Sequence, residues 1–368
     1  MHTAQQHLHI DLGAYTPRGR AVRIDNKRPL QAMRLLEGRT ANQALQLLPL
    51  LFGLCGRAQD AAARDALQHA LPPSSAAQRH ALHRRVQIET VREHLLQIHR
   101  DWPALSNAPP SATDLGQIMA LTDAASTDAG TLAPLIDWVS RHTLGLPPAR
   151  FLAFRDTDSL RHWARATAAV APRGLWSFYG AATTLPAIVL PSLESLAPGQ
   201  LLGHIAADAA LEFVRQPTHA GACLETGPAT RRRDHPLVQA TAAHGLLARF
   251  AARLVDLCAT LVILQRNDIP TPAPEVPGLG WVDSARGRLI HHAELDAQQR
   301  IARYRILAPT EWNAHPQGLA AQLLANIARH DSATTRQLAK LVLLAIDPCV
   351  QATLHLATPQ PEPEPAHA

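Results

Sequence analysis

Four short segments carry residue types that can do chemistry. Leu54-Cys55-Gly56-Arg57-Ala58 follows the apolar run 47–54. A thiol beside glycine lets the backbone come close to a ligand, and the thiolate form is both a nucleophile and a metal ligand. Glu225-Thr226-Gly227-Pro228-Ala229-Thr230-Arg231 joins a Gly-Pro turn to an acid and a base able to pair. Trp281-Val282-Asp283-Ser284-Ala285-Arg286-Gly287, followed by Leu289 and His291, sets Arg286 before a glycine on a hairpin approach. There its guanidinium offers five fixed donors to an anion. Ala308-Pro309-Thr310-Glu311-Trp312-Asn313 stands shortly downstream. Asp347-Pro348-Cys349 puts a second thiol on a loop after a helix, with His355 six residues beyond. A Cys349/His355 nucleophile dyad is one reading, but no third group that would orient it is evident. Taken singly, each segment also has a bland reading: a buried core cysteine, a surface ion pair, a solvated hairpin arginine.

The elements that must position these residues follow from periodicity and breakers. Residues 6–12 alternate polar and apolar as a strand does, and 21–25 can pair with them across a turn at 17–19. Residues 40–70 read as helix interrupted near Pro49 and at Gly53 and Gly56. Residues 78–100 form an amphipathic helix on the stripe Ile88, Val91, Leu95, Ile98, ended by Asp101-Trp102-Pro103. Short strands are expected at 151–155 and 187–190. A long buried helix starts near Pro236, its stripe running from Ala240 to Leu264. Residues 270–277 form a linker, 289–295 and 301–307 a hairpin across 296–299, and 318–346 a last helix. From Thr358 the Pro/Glu-rich tail is expected to be disordered. No linker divides the chain, so 1–357 is expected to be one domain.

Composition narrows the classes. The chain has 368 residues, 46% hydrophobic and 18% charged, which excludes a disordered protein. Aromatics are only 4%, so the core must be built from Leu, Ala, Val and Ile. The net charge of +5 rests on 35 basic residues, of which only Lys27 and Lys340 are lysine. Such scattered arginine reads as a solvated face rather than a nucleic-acid surface. The most apolar stretch, 247–264, is broken by Arg249, Arg253 and Asp256, so no membrane span is expected. No signal peptide is visible, and the four cysteines, Cys55, Cys223, Cys258 and Cys349, form no C-x-x-C pair. The expectation is a reduced, cytoplasmic protein.

In this order, the four segments resemble the large subunit of nickel–iron hydrogenases. That family carries R-x-C-G-x-C near the start, an E-x-G-P-L-A-R-like motif in the middle, then E-A-P-R-G and P-T-T-W-N, and D-P-C-x-x-C-x-x-H at the end. The helix at 87–102, with His94, His99 and Asp101-Trp102, looks like the family's His-rich helix. The resemblance runs from about residue 38 to 355. It implies an α+β, predominantly helical, hydrogenase-large-subunit-like core with small β-hairpins. Cys55 and Cys349 should then lie close together, with Arg286 and Thr310 lining the same cavity.

The departures point to function. Ala58 and Ala352 stand where each C-x-x-C has its second cysteine, and Ala62 where a histidine is expected. The family's second thiols bridge nickel and iron and its first are terminal on nickel, so two thiols cannot hold that nickel. Arg286 and Thr310 fall where the family hydrogen-bonds the iron's cyanides. The single-cysteine form of both motifs is similar to the HupK/HoxV-type hydrogenase maturation proteins. What this implies is no enzyme but a scaffold or chaperone. It would transiently hold an Fe(CN)2CO precursor through Cys55 and Cys349, without nickel, and Arg286 is expected to draw the thiols' pKa down. Its partners would be the accessory proteins that build the iron unit and the hydrogenase large-subunit precursor. Two alternatives stay open: a metal-free chaperone that mimics the large subunit, and a divergent hydrogenase-like redox enzyme. The tail is expected to be retained, and cysteines restored at 58 and 352 to raise nickel affinity.

Overall fold

A computed structural model describes residues 7–17, 19–27, 30–105, 108–207, 210–274, 276–328 and 330–357. Local signals set the first half. Strands β1 (His7–Thr16) and β2 (Gly19–Asn26) form the expected hairpin, pairing Leu8 with Asn26 and Ile10 with Ile24. Helix α1 (Ala41–Leu51) opens on a capping box in which Thr40 and Gln43 satisfy each other's backbone N–H. Pro49 lies in its last turn, and the chain turns at 52–55 before α2 (Gly56–Ala66). Helix α3 (Ala76–Leu96) starts on a second such box, Ser75 with Gln78.

Asp101-Trp102-Pro103 does not end this run. A π-helical turn at Gln97–Asp101 carries it to Ala104. The reason is packing: Trp102 is fully buried, edge-on to Phe178 and Phe250 at 5.5 and 5.6 Å. The helices α4 (Ala112–Thr127), α5 (Thr157–Ala166) and α6 (Val170–Ala182) follow. The strands expected at 151–155 and 187–190 do not form. Phe151 closes a short helix packed on Trp163, and 187–190 is irregular.

The stripe from Ala240 to Leu264 is split. Pro236–Thr241 makes one short helix and α7 (Leu247–Arg266) another. Gly245 between them has φ +53, and a Cβ there would stand 2.3 Å from the Leu185 carbonyl oxygen. Arg249, Arg253 and Asp256 of α7, which break its hydropathy, are buried and face partners inside the protein. Among the described residues no helix is long and apolar enough to cross a membrane.

The predicted hairpin is part of a three-stranded antiparallel meander: β3 (Leu279–Ser284), β4 (Gly287–Leu295) and β5 (Ile301–Leu307). Ser284 pairs with Gly287, so Ala285 and Arg286 form the tip between β3 and β4. Helix α2 lies on β3 at van der Waals limit, its Ala58, Ala61, Ala62, Ala63 and Ala66 all buried. Gly280 makes this possible: a Cβ there would meet the Ala62 carbonyl oxygen at 2.0 Å. The expected last helix is two, Leu319–Ala325 and α8 (Ser332–Ile346). After α8 the chain passes Cys349 into β6 (Gln351–Leu356), which pairs parallel with β1, so the first sheet runs β2-β1-β6. The Pro/Glu-rich tail from Thr358 lies outside the described residues.

Candidate functional site

The two cysteine segments, the Arg286 segment and the Thr310 segment meet in one place. Cys55 closes the turn before α2, and Arg286 is at the β3–β4 tip. Thr310 is in the first turn of the short helix Pro309–Asn313, and Cys349 follows α8. All four line one cavity of about 110 Å³. That is several times the roughly 10–15 Å³ that one water occupies on the same measure. Leu51, Phe52, Leu289, Ala308 and Pro309 supply apolar wall. The Glu225–Arg231 segment braces the tip from behind. The Thr226 hydroxyl accepts from Arg288 N–H at 2.8 Å, and Arg249 holds Glu225 through two bonds of 3.0 and 2.8 Å. Gly287, φ +134, fits there because a Cβ would stand 2.5 Å from the Thr226 hydroxyl oxygen.

Each thiol has a polar neighbour. The hydroxyl of Thr310 lies 3.1 Å from Cys349 Sγ and accepts from Cys349 N–H at 3.2 Å. Gln59 Nε2 donates to Cys55 Sγ at 3.5 Å. Behind Gln59 a buried chain continues: His291 Nε2 to Gln59 Oε1 at 2.9 Å, and His291 Nδ1 to the Tyr304 hydroxyl at 2.8 Å. Glu89 accepts from the N–H groups of Arg57 and Ala58 at 2.8 and 3.0 Å, capping α2 beside the pocket. Burial outweighs those donors and pushes the Glu89 carboxyl up to about 7.

Arg286 donates through Nη1 to Glu93 at 3.1 Å and lies 3.4 Å from Asp347 through Nε. That Nε is buried and finds no hydrogen-bond acceptor. Burial works against the guanidinium's charge, but Asp347 and Glu93 together outweigh it and hold the group firmly cationic. From here a chain of buried ions runs inward. Arg253 donates to Asp347 at 3.1 Å and to His94 Nδ1 at 3.2 Å, and His94 Nε2 meets Asp256 at 2.8 Å. Asp256 also takes Arg231 at 2.6 Å and Arg232 at 2.7 Å. Burial lowers His94 to about 4, so it is neutral, donating through Nε2 and accepting at Nδ1. Burial would raise Asp256, but Arg231, His94 and Arg232 outweigh it and keep it well below the usual range.

Several expectations need correction. Arg286 does favour the Cys55 thiolate, but burial is stronger, with Cys349 and Glu89 adding to it. The thiol is pushed up to about 12 and is protonated at neutral pH. Cys55 keeps partial exposure, yet its enclosure in the pocket, not that exposure, sets its state. His355 is exposed on β6 opposite Asp11, outside the pocket, so no Cys349/His355 dyad exists. Ala352 stands on the same strand opposite Leu8, and neither it nor Ala58 lines the cavity. His99, for which the sequence implies no role in the pocket, reaches the Thr143 hydroxyl at 2.9 Å, away from it. Gln59, Glu89 and Glu93 were not singled out from the sequence. The two glutamates did leave a signal, being spaced i,i+4 next to the apolar stripe of α3.

Among the described residues no three metal-ligating side chains converge. The cavity that holds the two thiols is also lined by the carboxylates of Glu89 and Glu93.

No family-wide sequence profile matches the chain. Curated proteins do. The hydrogenase expression/formation protein HoxV of Cupriavidus necator is 34% identical, over 92% of this chain and 94% of its own. The hydrogenase expression/formation protein HupK of Azotobacter vinelandii is 31% identical, over 93% and 96%. Among solved structures, the Ni-Fe-Se hydrogenase of D. vulgaris Hildenborough superposes with a TM-score of 0.56 at 15% identity, covering 90% of this chain and 94% of that one. An NAD+-reducing [NiFe]-hydrogenase gives 0.53 at 15%, covering 90% and 92%. The fold is that of [NiFe] hydrogenase large subunits, predominantly helical with small sheets, as the motifs implied.

Proposed function

The chain belongs to the HoxV/HupK hydrogenase expression/formation proteins, and on that premise we propose that it is a non-catalytic scaffold that takes up an Fe(CN)2CO unit as cargo and passes it to a hydrogenase large-subunit precursor. One observation carries this reading. Both unpaired motif thiols converge with the Thr310 hydroxyl and Arg286 on one small, largely apolar cavity. Cyanide nitrogens on iron are partly anionic acceptors, and an arginine N–H and a hydroxyl are the donors that match them. Carbon monoxide makes no such demand and fits against Leu289, Pro309 and Phe52.

Cys55 and Cys349 would bind iron as thiolates, and each must lose its proton to do so. A thiol pushed up to about 12 by burial is deprotonated only when a strong Lewis acid binds its sulfur and the proton is released to a base or to solvent. Cargo so held is released when the thiols are reprotonated, which suits a transient carrier. Its suppliers would be the accessory proteins that build the iron unit.

Infrared spectroscopy tests the reading. Protein purified from cells making the whole maturation set should show cyanide and carbonyl stretching bands. Cys55→Ala or Cys349→Ala should remove them while the chain stays folded. A wild-type protein without those bands, from cells that mature hydrogenase, would favour the metal-free chaperone instead. The neutral thiol at Cys55 is the observation on that side.

A further inference from the structure

A second cavity, of about 480 Å³, lies on the far side of the buried ion chain, between α3, α7, β3 and the Pro270–Pro272 segment. We propose that it is a ligand site for a phosphate-like oxyanion carried on a small apolar group. Its volume falls within the range of small-molecule sites.

The polar groups come first. His83, Gln87 and Thr90 recur at i, i+4 and i+7 and so share one face of α3, and Thr260 adds a hydroxyl from α7. Thr90 and Thr260 are more than nine-tenths buried. Neither makes a side-chain hydrogen bond among the described residues. Buried threonines in other helices behave otherwise, Thr122 and Thr241 each bonding back to a carbonyl of their own helix. Thr90 and Thr260 both line the cavity, where an acceptor bound from outside would meet their hydroxyls.

Charge points the same way. Arg231 and Arg232 both line the cavity and share a single carboxylate, Asp256. Arg231 spends every nitrogen, on Asp256 and on the Ser284 carbonyl. Arg232 gives Asp256 only its Nε, which leaves its Nη fork for the cavity. Asp283 lines the cavity too, but Arg288 binds it through two bonds of 2.9 and 3.3 Å. One positive charge is therefore left over. An arginine fork and two hydroxyls suit a phosphate monoester, which brings three terminal oxygens and more negative charge than a carboxylate to meet the surplus positive charge. The remaining wall is apolar, formed by Ile263, Pro270, Pro272, Trp281 and Val282. It would cover an organic remainder that bare phosphate lacks.

The test uses the full, metal-free chain, so its outcome is independent of the iron-carrier reading. Thermal unfolding is followed in inorganic phosphate and in phenyl phosphate, each against chloride at equal ionic strength. At saturation either phosphate should raise the midpoint by about 2–5 °C, with phenyl phosphate acting at a concentration at least about tenfold lower. Arg232→Met and the isosteric Thr260→Val should each cut the shift at least about threefold, while Cys55→Ala leaves it intact. No shift beyond chloride in wild type, or an unchanged response in both cavity variants, would overturn the site. Equal affinity for the two ligands would overturn the apolar part of the assignment.

Discussion

Replacing Gly280 by alanine should separate the two halves of the thiol pocket. A Cβ at Gly280 would stand 2.0 Å from the Ala62 carbonyl oxygen, 2.5 Å from the Ala66 nitrogen and 2.8 Å from Asp65 Cβ. The two nearest atoms are backbone, so no side chain can swing aside. Opening the 2.0 Å contact to the 3.4 Å of ordinary packing moves α2 off β3 by about 1.4 Å. Overpacking of side chains costs about 1–3 kcal/mol, and a displaced helix belongs at the upper end, near 3 kcal/mol. The functional cost should be larger in proportion. Cys55 is carried by α2 and Arg286 by the tip of β3, and a site misplaced by about 1 Å loses its grip. Gly53→Ala is the control, because a Cβ there meets nothing within 4 Å although Gly53 lines the same cavity. Urea unfolding gives the stability of both variants and infrared bands give their iron content. If Gly280→Ala unfolds within about 0.5 kcal/mol of wild type and keeps its bands, the claim that this contact sets the spacing of Cys55 and Arg286 is wrong.

Arg286→Lys keeps the charge but cannot reach Glu93 and Asp347 together with a third acceptor. Infrared bands should weaken and shift while circular dichroism stays that of a folded chain. Asp65, held up at about 6 by burial, binds its proton more tightly in the folded than in the unfolded chain. Asp65's share of the stability should therefore fall as pH rises from about 4 through about 6, by at most about 3 kcal/mol. Glu89, pushed up to about 7, adds a fall of the same sign, so Asp65→Asn should remove only the Asp65 share, read as the difference between variant and wild-type urea midpoints at pH 4 and pH 8. Gly116 is exposed inside α4 and a Cβ there meets nothing. Gly116→Ala should raise the unfolding free energy by about 0.5–1 kcal/mol, and a destabilised variant would contradict the helical assignment.

What was legible before the structure was local or motif-borne. The first hairpin, the apolar stripe of α3 and the β4–β5 pair follow from periodicity and turn chemistry. The order of the cysteine, arginine and threonine segments pointed to one shared cavity. The failures are tertiary. Trp102 holds the chain helical past a proline because Phe178 and Phe250 bury it. Gly245 breaks a continuous apolar stripe because the Leu185 carbonyl occupies the space a side chain would need. Strand β6 was invisible because its residues are only partly buried and its partner is β1, at the other end of the chain. The acids Glu89 and Glu93 look like surface charges by type, and only the fold shows which face of α3 they occupy.

The pairing of β6 with β1 also sets a clock. His7 stands opposite Gln351 and Leu12 opposite Leu356, so the first sheet joins residues from the two ends of the described chain. Chains are made from the N-terminus, and contacts of such sequence separation form late. While the protein is being synthesised, β1 and β2 can exist only as a two-stranded hairpin, which is marginal alone. Cys349 enters its loop only two residues before β6 begins. The pocket therefore lacks one wall until residue 349 has been made. Any truncation that removes β6 should leave the second thiol untethered as well as the sheet unfinished.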